Sequence, residues 1–243
     1  TQAQAARFSS MAGTGATLAE VDALTSKGYE AWLDAQFNAP RSLSHFDWLL
    51  SKGYGLAADR SSFNGMDATI WRKLLSSPDV LRQRVVLALS EIFVVSMTGL
   101  STAWGKFALA AYLDMLEERA FGTYRDLLGA VSLSCAMGVY LNMRGNQKGD
   151  PKTGRQPDEN YAREVMQLFS IGLLQLNPDG SPKTLSDGRA QYTYNQEHVT
   201  ALAQVFTGWD FNTSNVNADP AFMRQPMRHI ATRFATGDKS VLG

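Results

Sequence analysis

The sequence has one cysteine, no excess of either charge and no long apolar run, and each shortage excludes something. The single thiol, Cys135, cannot form a disulfide within the chain, and its apolar neighbours indicate a buried side chain. Lys plus Arg equals Asp plus Glu at 23 each, so the basic excess that supports nucleic-acid binding is missing. The longest apolar run, residues 85–97, is interrupted and shorter than the roughly 20 residues that span a bilayer. We therefore expect no nucleic-acid partner and no transmembrane segment in this chain.

Familiar catalytic and metal-binding motifs are also absent. The three histidines, His45, His198 and His229, do not occur in the His-x-x-His or His-Glu-x-x-His spacings of zinc sites. Neither a Gly-x-Ser-x-Gly elbow nor a glycine-rich phosphate loop occurs. The sequence thus predicts no metal site and no cofactor-binding motif, and it leaves any cofactor unknown. His45, beside Phe46 and Trp48, is expected to be a packing residue.

What the sequence does contain is a series of helix signals. Thr17 and Glu20 form a capping box, and Gly28 is typical of a helix end. Residues 66–75 carry an apolar stripe at helical spacing, which we expect to face the core: Ile70, Trp71, Leu74 and Leu75. Ser77-Pro78-Asp79 is a start signal for a helix that runs to about Met97, with its apolar second half inside the bundle.

One region is not helical in pattern. Asn177-Pro178-Asp179-Gly180 is a turn sequence with short apolar–polar alternation on either side, which favours a β-hairpin. A second turn is expected at Asp187-Gly188, followed by a strand near residues 191–194. The sequence predicts a mainly α, multi-helix, bundle-like fold with one small β-hairpin near residues 173–194. We assign residues 1–243 to a single helical domain and find no internal repeat.

The densest group of polar residues opens the helix predicted at 159–171, with Asp158 as its cap. Glu159 and Arg163 are spaced to pair at i,i+4, while Asn160 and Glu164 share one face. Two carboxylates with a fixed arginine suit acid–base chemistry if burial separates their pKa values. The alternative is structural: acids favour a helix N-terminus, and Arg163 forms an ion pair.

Glu91 is the second candidate, because it is the only charged residue between 85 and 97. A lone carboxylate on a buried helix has to be paired or protonated. Arg163 is the partner expected for it, and a structural buried pair is favoured over a catalytic role.

The strongest resemblance to known proteins lies in residues 158–172, which read Asp-Glu-Asn-Tyr-Ala-Arg-Glu-Val-Met-Gln-Leu-Phe-Ser-Ile-Gly. Further matching segments follow in the same order: 28–37, 124–128, 136–137 with 140–141, 206–209 and 239–243. Together they resemble a bacterial family catalogued as domain of unknown function 1800, over most of the chain.

The resemblance implies a largely helical protein that is exported to the periplasm or beyond the cell. It also implies a partner, since genes of the family often neighbour those of a second exported family similar to sulfatases. It supplies no established activity. Members are usually longer, so the resemblance implies a family domain that continues beyond Gly243, with this chain as its N-terminal half.

Two departures from the family pattern bear on function. Many members have a string resembling Trp-His-Asn-His-Phe where this chain reads Leu-Ser-Glu-Ile-Phe at 89–93, and many have a His-Asp pair near 234–235. Those histidines are absent here. Their loss favours a binding or structural role over catalysis.

Three functions follow as hypotheses. The first is a binding or assembly component at the cell surface, working with another exported protein. The second is a hydrolase-like enzyme that acts on a surface polymer through Glu164, Glu159 and Glu91, with Arg163 and Asn160 beside them. The third is a structural helical domain of a larger chain. Whether the chain is an enzyme stays open.

Overall fold

The computed structural model describes residues 1–242, and helices dominate that range. The helices are α1 (Gln2–Ala12), α2 (Leu18–Lys27), α3 (Tyr29–Asn38), α4 (His45–Ser51), α5 (Met66–Ser76), α6 (Val80–Ile92), α7 (Gly105–Arg119), α8 (Tyr124–Leu133), α9 (Cys135–Tyr140), α10 (Asn160–Gln167) and α11 (Gln196–Val205). Strands β1 (Trp209–Asp210) and β2 (Arg228–His229) pair antiparallel. The predicted mainly α fold is confirmed. No helix among the described residues is both long and apolar enough to cross a membrane.

The chain divides into two compact units. The first contains residues 1–131 and 214–224, with α1 to α7 and most of α8. The second contains residues 132–213 and the chain from 225 onward, with α9 to α11 and the two strands. The single domain over residues 1–243 stays a prediction.

Local capping signals fix several helix ends as the sequence predicts. The Thr17 hydroxyl accepts the Glu20 N–H, while the Glu20 carboxylate accepts the Thr17 N–H at 2.7 Å. Gly28 ends α2 with φ of 85°, in the left-handed range that glycine adopts without strain. Asn195 caps α11 in the same reciprocal way, together with His198.

The core of the first unit is built around α7, which starts directly after Trp104. Trp104 is fully buried, and Phe107 packs edge-on against both Trp104 and Phe46. Leu116, two turns further along, is also fully buried. Because α7 carries buried residues along most of its length, it is the central element of this unit.

The buried face of α5 is not the predicted one. Trp71 is 59% exposed and Leu75 is 76% exposed, whereas the buried residues are Met66, Thr69 and Lys73. A lysine therefore occupies a core position, and two large apolar side chains lie at the surface. The predicted face is wrong because of a contact outside the helix, since Lys73 turns inward to meet the buried carboxylate of Glu117 on α7.

The second half of α6 is also less buried than predicted. The helix ends at Ile92 rather than near Met97, and Ile92 is 48% exposed. Beyond the helix, Phe93 is buried, and its carbonyl oxygen accepts a hydrogen bond from the Tyr112 hydroxyl, with 2.6 Å between the two oxygens. This hydrogen bond holds Phe93, the first residue after α6, in place against α7.

Residues 173–194, called the arm below, form three short paired segments joined by the predicted turns at 177–180 and 187–188. Gln175 donates its N–H to the Gln191 carbonyl, Gln191 donates to Lys183, and Lys183 donates to Gln175, at 2.8–2.9 Å. Each segment therefore pairs with both others. The structure also reveals an eight-residue repeat, because the Asp-Gly turns at 179–180 and 187–188 have the same hydrogen bonds.

We expect Gly65→Ala to destabilise the first unit by about 2–4 kcal/mol. Gly65 has φ of 85°, and an added Cβ would lie 2.4 Å from the Tyr54 ring. Urea unfolding measures the change. Gly129→Ala is the control, because Gly129 lies in α8 with open space around it and alanine is the better helix former. Equal stability of the two variants would contradict the expectation.

Candidate functional site

The predicted site residues Glu159 and Arg163 form an ion pair at the start of α10. One oxygen of Glu159 accepts from Arg163 at 3.1 Å and from Gln196 at 2.7 Å, and the other accepts from Thr200 at 2.8 Å. Burial on its own raises the pKa of Glu159, but these donors outweigh it and hold the pKa below its usual value. Glu159, held by Arg163 at the start of α10 and by Gln196 and Thr200 on α11, therefore links the two helices.

The other two predicted residues on this helix do not join the pair. Asn160 is exposed, and its backbone N–H donates to Asp158 at 2.8 Å. Glu164 is half-buried, and one of its carboxylate oxygens is buried without a hydrogen-bond partner among the described residues. The helix begins one residue later than predicted, with Glu159 rather than Asp158 at the N-cap. Catalytic roles for these residues stay predictions.

The expected burial of Glu91 is wrong. Glu91 lies in the last turn of α6 with an exposed side chain, next to the exposed Ile92. Water solvates its charge, so no buried partner is required. Arg163, the partner expected for it, donates to Glu159 and Gln196 instead.

A cluster of charged side chains that the sequence did not reveal lies inside the first unit. Lys73 on α5 contacts Glu117 on α7, with Nζ and Oε2 separated by 2.5 Å. His45 on α4 reaches the other oxygen of Glu117, with Nε2 and Oε1 separated by 3.4 Å. The three side chains are at most 4% exposed. Three helices thus meet at one carboxylate, and we call His45, Lys73, Asp114 and Glu117 the buried cluster.

Asp114 is the second carboxylate of the buried cluster, one helical turn before Glu117 on α7. Its two oxygens accept the backbone N–H groups of His45 at 2.7 Å and Phe46 at 3.0 Å. These N–H groups open α4 and have no partner within that helix. Burial raises the pKa of Asp114, and the nearby His45 opposes the shift. Asp114 therefore anchors the N-terminus of α4 to α7.

The charge of Glu117 is held by its neighbours. Burial on its own raises the pKa of this carboxyl group, but the neighbouring His45 and the Lys73 ammonium together keep its pKa below the usual value. The His45 ring also meets the Thr69 hydroxyl through Nδ1 at 3.1 Å. Both ring nitrogens therefore have a polar neighbour, which fixes the ring plane.

A cavity of about 100 Å³ lies beside the buried cluster. His45, Lys73 and Gln83 contribute its polar lining. The remaining wall is mostly apolar: Ile70, Leu74, Val86, Leu87 and Leu113, with Ser90. The volume suits a few water molecules or a very small ligand, not a polymer chain.

The chemistry of the buried cluster is that of a compensated ion network. Ligand atoms of His45, Asp114 and Glu117 lie within 4.8 Å of one another, which is the pattern of a cation site. However, the Lys73 ammonium already contacts Glu117, and both Asp114 oxygens accept backbone N–H groups. A divalent cation would add two positive charges beside a buried lysine, so the arrangement favours structural ion pairs.

One sequence signal could have found the buried cluster. Met66, Thr69 and Lys73 are spaced i, i+3 and i+7, which is one face of a helix. A lysine and a threonine on that face hide it from a search for apolar periodicity, whereas the neighbouring stripe is wholly apolar. Asp114 and Glu117 are likewise one turn apart, but nothing local ties them to a lysine 44 residues away.

Comparison with known families decides where the chain belongs. A family model described as "Protein of unknown function (DUF1800)" matches residues 7–243. The chain belongs to this family. No curated protein and no solved structure matches the DUF1800 chain. The resemblance drawn from residues 158–172 is thereby confirmed, and membership adds no activity.

We expect Glu117→Gln to destabilise the DUF1800 chain by about 3–5 kcal/mol at pH 7, because it leaves the Lys73 charge buried without its partner. The folded-state pKa of Glu117 is lowered from 4.5, so the ionised form stabilises the fold fully above that pH. This stabilisation is lost as the pH falls through the folded-state pKa. Urea unfolding of the unchanged chain and of Glu117→Gln should therefore show a difference in the free energy of unfolding that becomes smaller between pH 7 and pH 3.

Glu118→Gln is the matched control, since Glu118 is the next residue on α7 and is exposed. We expect it to change the free energy of unfolding by less than about 0.5 kcal/mol at either pH. Because the Glu117 charge contributes to the raised pKa of Asp114, Glu117→Gln also changes the titration of Asp114, whereas Glu118 is not among the causes of that shift. Equal effects of the two substitutions at pH 7 would contradict the assigned role of Glu117.

Proposed function

We propose that this DUF1800 chain is a binding or assembly component that engages another exported protein at the cell surface. The arm carries the proposal. Four of its large apolar side chains are exposed by 43–65%: Leu173, Leu176, Leu185 and Tyr192. Two more, Leu168 and Ile171, are exposed just before it. Six of the twenty exposed large hydrophobic side chains among the described residues thus fall within 25 positions, a concentration typical of interaction surfaces.

The hydrogen bonding of the arm indicates how a partner would bind. Gln175, Lys183 and Gln191 already bond to one another through their backbone groups. Addition of a partner strand would have to break these bonds. A partner therefore gains more by covering the apolar side chains, and the paired backbone holds those side chains in place at little entropic cost.

The charge of the arm favours a polypeptide partner. Asp179 and Asp187 balance Lys183 and Arg189, so the arm has no net charge. Nucleic acids and anionic membrane surfaces attract basic patches, which the arm does not offer. Gln175 and Thr193 of the arm, together with Ile171, His198 and Leu242, line an open recess of about 520 Å³. Apolar side chains with a polar rim are the composition of a protein–protein interface.

The hydrolase-like alternative has weaker support. A general acid needs a raised pKa, whereas that of Glu159 is lowered by the donors that surround it. The exposed Glu91 has no neighbouring acid–base partner among the described contacts. The geometry of Glu159 and Arg163 fits a structural tie between α10 and α11 better than catalysis.

The proposal is tested with an exported sulfatase-like protein, which is the class of partner that the family resemblance implies. Sedimentation velocity and titration calorimetry of the two purified proteins measure complex formation and affinity. We expect a one-to-one complex, weakened about tenfold or more by Leu176→Ser and by Tyr192→Ser, because central apolar residues dominate interface energies.

Leu56→Ser is the control for the arm variants. Leu56 is 66% exposed and lies in the first unit, so its replacement should leave the affinity unchanged. Equal weakening by all three variants, the absence of a complex, or self-association of the chain through the arm would each contradict the proposal.

A further inference from the structure

Asp210 on β1 holds two arginines in the second unit. Its Oδ1 accepts from Arg144 Nε at 3.0 Å, and its Oδ2 accepts from Arg233 Nη1 at 2.8 Å. The Phe211 N–H donates to Oδ1 at 2.8 Å as well. Because the two oxygens belong to one carboxylate, the two guanidinium groups are held side by side. We call Arg144 and Arg233 the arginine pair.

The charges around Asp210 do not balance. Burial on its own raises the pKa of Asp210, but the Phe211 N–H and the arginine pair outweigh it and keep the pKa low. Asp210 is therefore ionised at neutral pH and cancels one of two positive charges. Among the described residues, it is the only carboxylate that forms an ion pair with either arginine. Arg228, opposite Asp210 in the sheet, adds a further positive charge.

The arginine pair also has unused hydrogen-bond donors. Arg144 uses Nε and Arg233 uses Nη1, and their remaining guanidinium N–H groups make no hydrogen bond within the described residues. The side chains are 35% and 37% exposed, so these groups are open to solvent. Planar N–H groups on two adjacent guanidiniums match the oxygens of phosphate and sulfate groups.

Both arginines are held in place before any ligand binds. The Arg144 guanidinium lies over the Phe211 ring, 3.9 Å from its centre. Its backbone N–H donates to the Gly138 carbonyl at 2.8 Å. The Arg233 backbone bonds to Ile230 and to Lys148. A ligand therefore meets donors whose freedom the fold has already restricted, which lowers the entropic cost of binding.

We infer that the arginine pair binds a tetrahedral oxyanion, the phosphate or sulfate group of a ligand. The unbalanced charge attracts the anion, and the free N–H groups of both arginines donate to its oxygens. Asp210 orients both guanidiniums without contacting the ligand, so it is a positioning residue. This site is independent of the arm and of the protein partner proposed for it.

Titration calorimetry of the whole chain with sodium sulfate, sodium phosphate and sodium acetate tests the inference, with sodium chloride keeping the ionic strength constant. We expect saturable one-to-one binding of sulfate and phosphate, and at least about tenfold weaker binding in Arg144→Gln and in Arg233→Gln. The tighter of the two anions identifies the group that the natural ligand carries. Acetate binding as tight as sulfate binding would overturn the assignment to a tetrahedral group.

Arg189→Gln is the matched control, since Arg189 pairs with a single carboxylate, Asp187, and is 78% exposed. It should bind sulfate as the unchanged chain does. Equal weakening by all three variants, or sulfate binding that survives loss of the arginine pair, would overturn the inference.

A second measurement needs no variant and so does not depend on the folding of one. Phenylglyoxal modifies accessible arginines, and peptide mass mapping reports each site. Sulfate should protect Arg144 and Arg233 but leave Arg189 reactive. Unchanged modification of the arginine pair at saturating sulfate would contradict the proposed site.

Discussion

The contact between Lys73 and Glu117 is the interaction on which the first unit depends. Both side chains are almost fully buried, and their atoms are 2.5 Å apart. Removing a charge from water is costly, so either residue alone would destabilise the core, whereas the pair stabilises the approach of α5 to α7. His45 and Asp114 extend the same contact to α4, because Asp114 accepts the N–H groups that open that helix. The exposure of Trp71 and Leu75 follows, since α5 must turn Lys73 inward.

The two units use charge differently, and the difference bears on function. In the buried cluster, Asp114 accepts two backbone N–H groups, Glu117 contacts Lys73 through Oε2, and the adjoining cavity measures only about 100 Å³. In the second unit, the two positive charges of the arginine pair face the single negative charge of Asp210, and the arm exposes leucines and a tyrosine. The second unit thus contains both the exposed apolar arm and the arginine pair, while the buried cluster ties three helices of the first unit together.

The sequence predicts those features that depend on near neighbours. The capping box of Thr17 and Glu20, the mainly α fold and the i,i+4 pair of Glu159 and Arg163 are local, and the structure contains all three. Features that depend on distant partners were missed. Lys73 meets Glu117 across 44 residues and Arg144 meets Asp210 across 66, and no local pattern encodes either contact. Glu91 was expected to be buried because its neighbours are apolar, but α6 turns that end toward solvent.

A double-mutant cycle on Lys73→Met and Glu117→Leu measures the central contact most directly. Urea unfolding at pH 7 gives the free energy of unfolding for the unchanged chain, each single variant and the double variant. We predict that each single variant loses several kcal/mol, about 3–5. The double variant should lose much less than the sum, with a coupling energy of about 2 kcal/mol or more, since neither charge is then left alone. Additive losses within about 0.5 kcal/mol would show that the two side chains do not stabilise each other and would contradict this account of the fold.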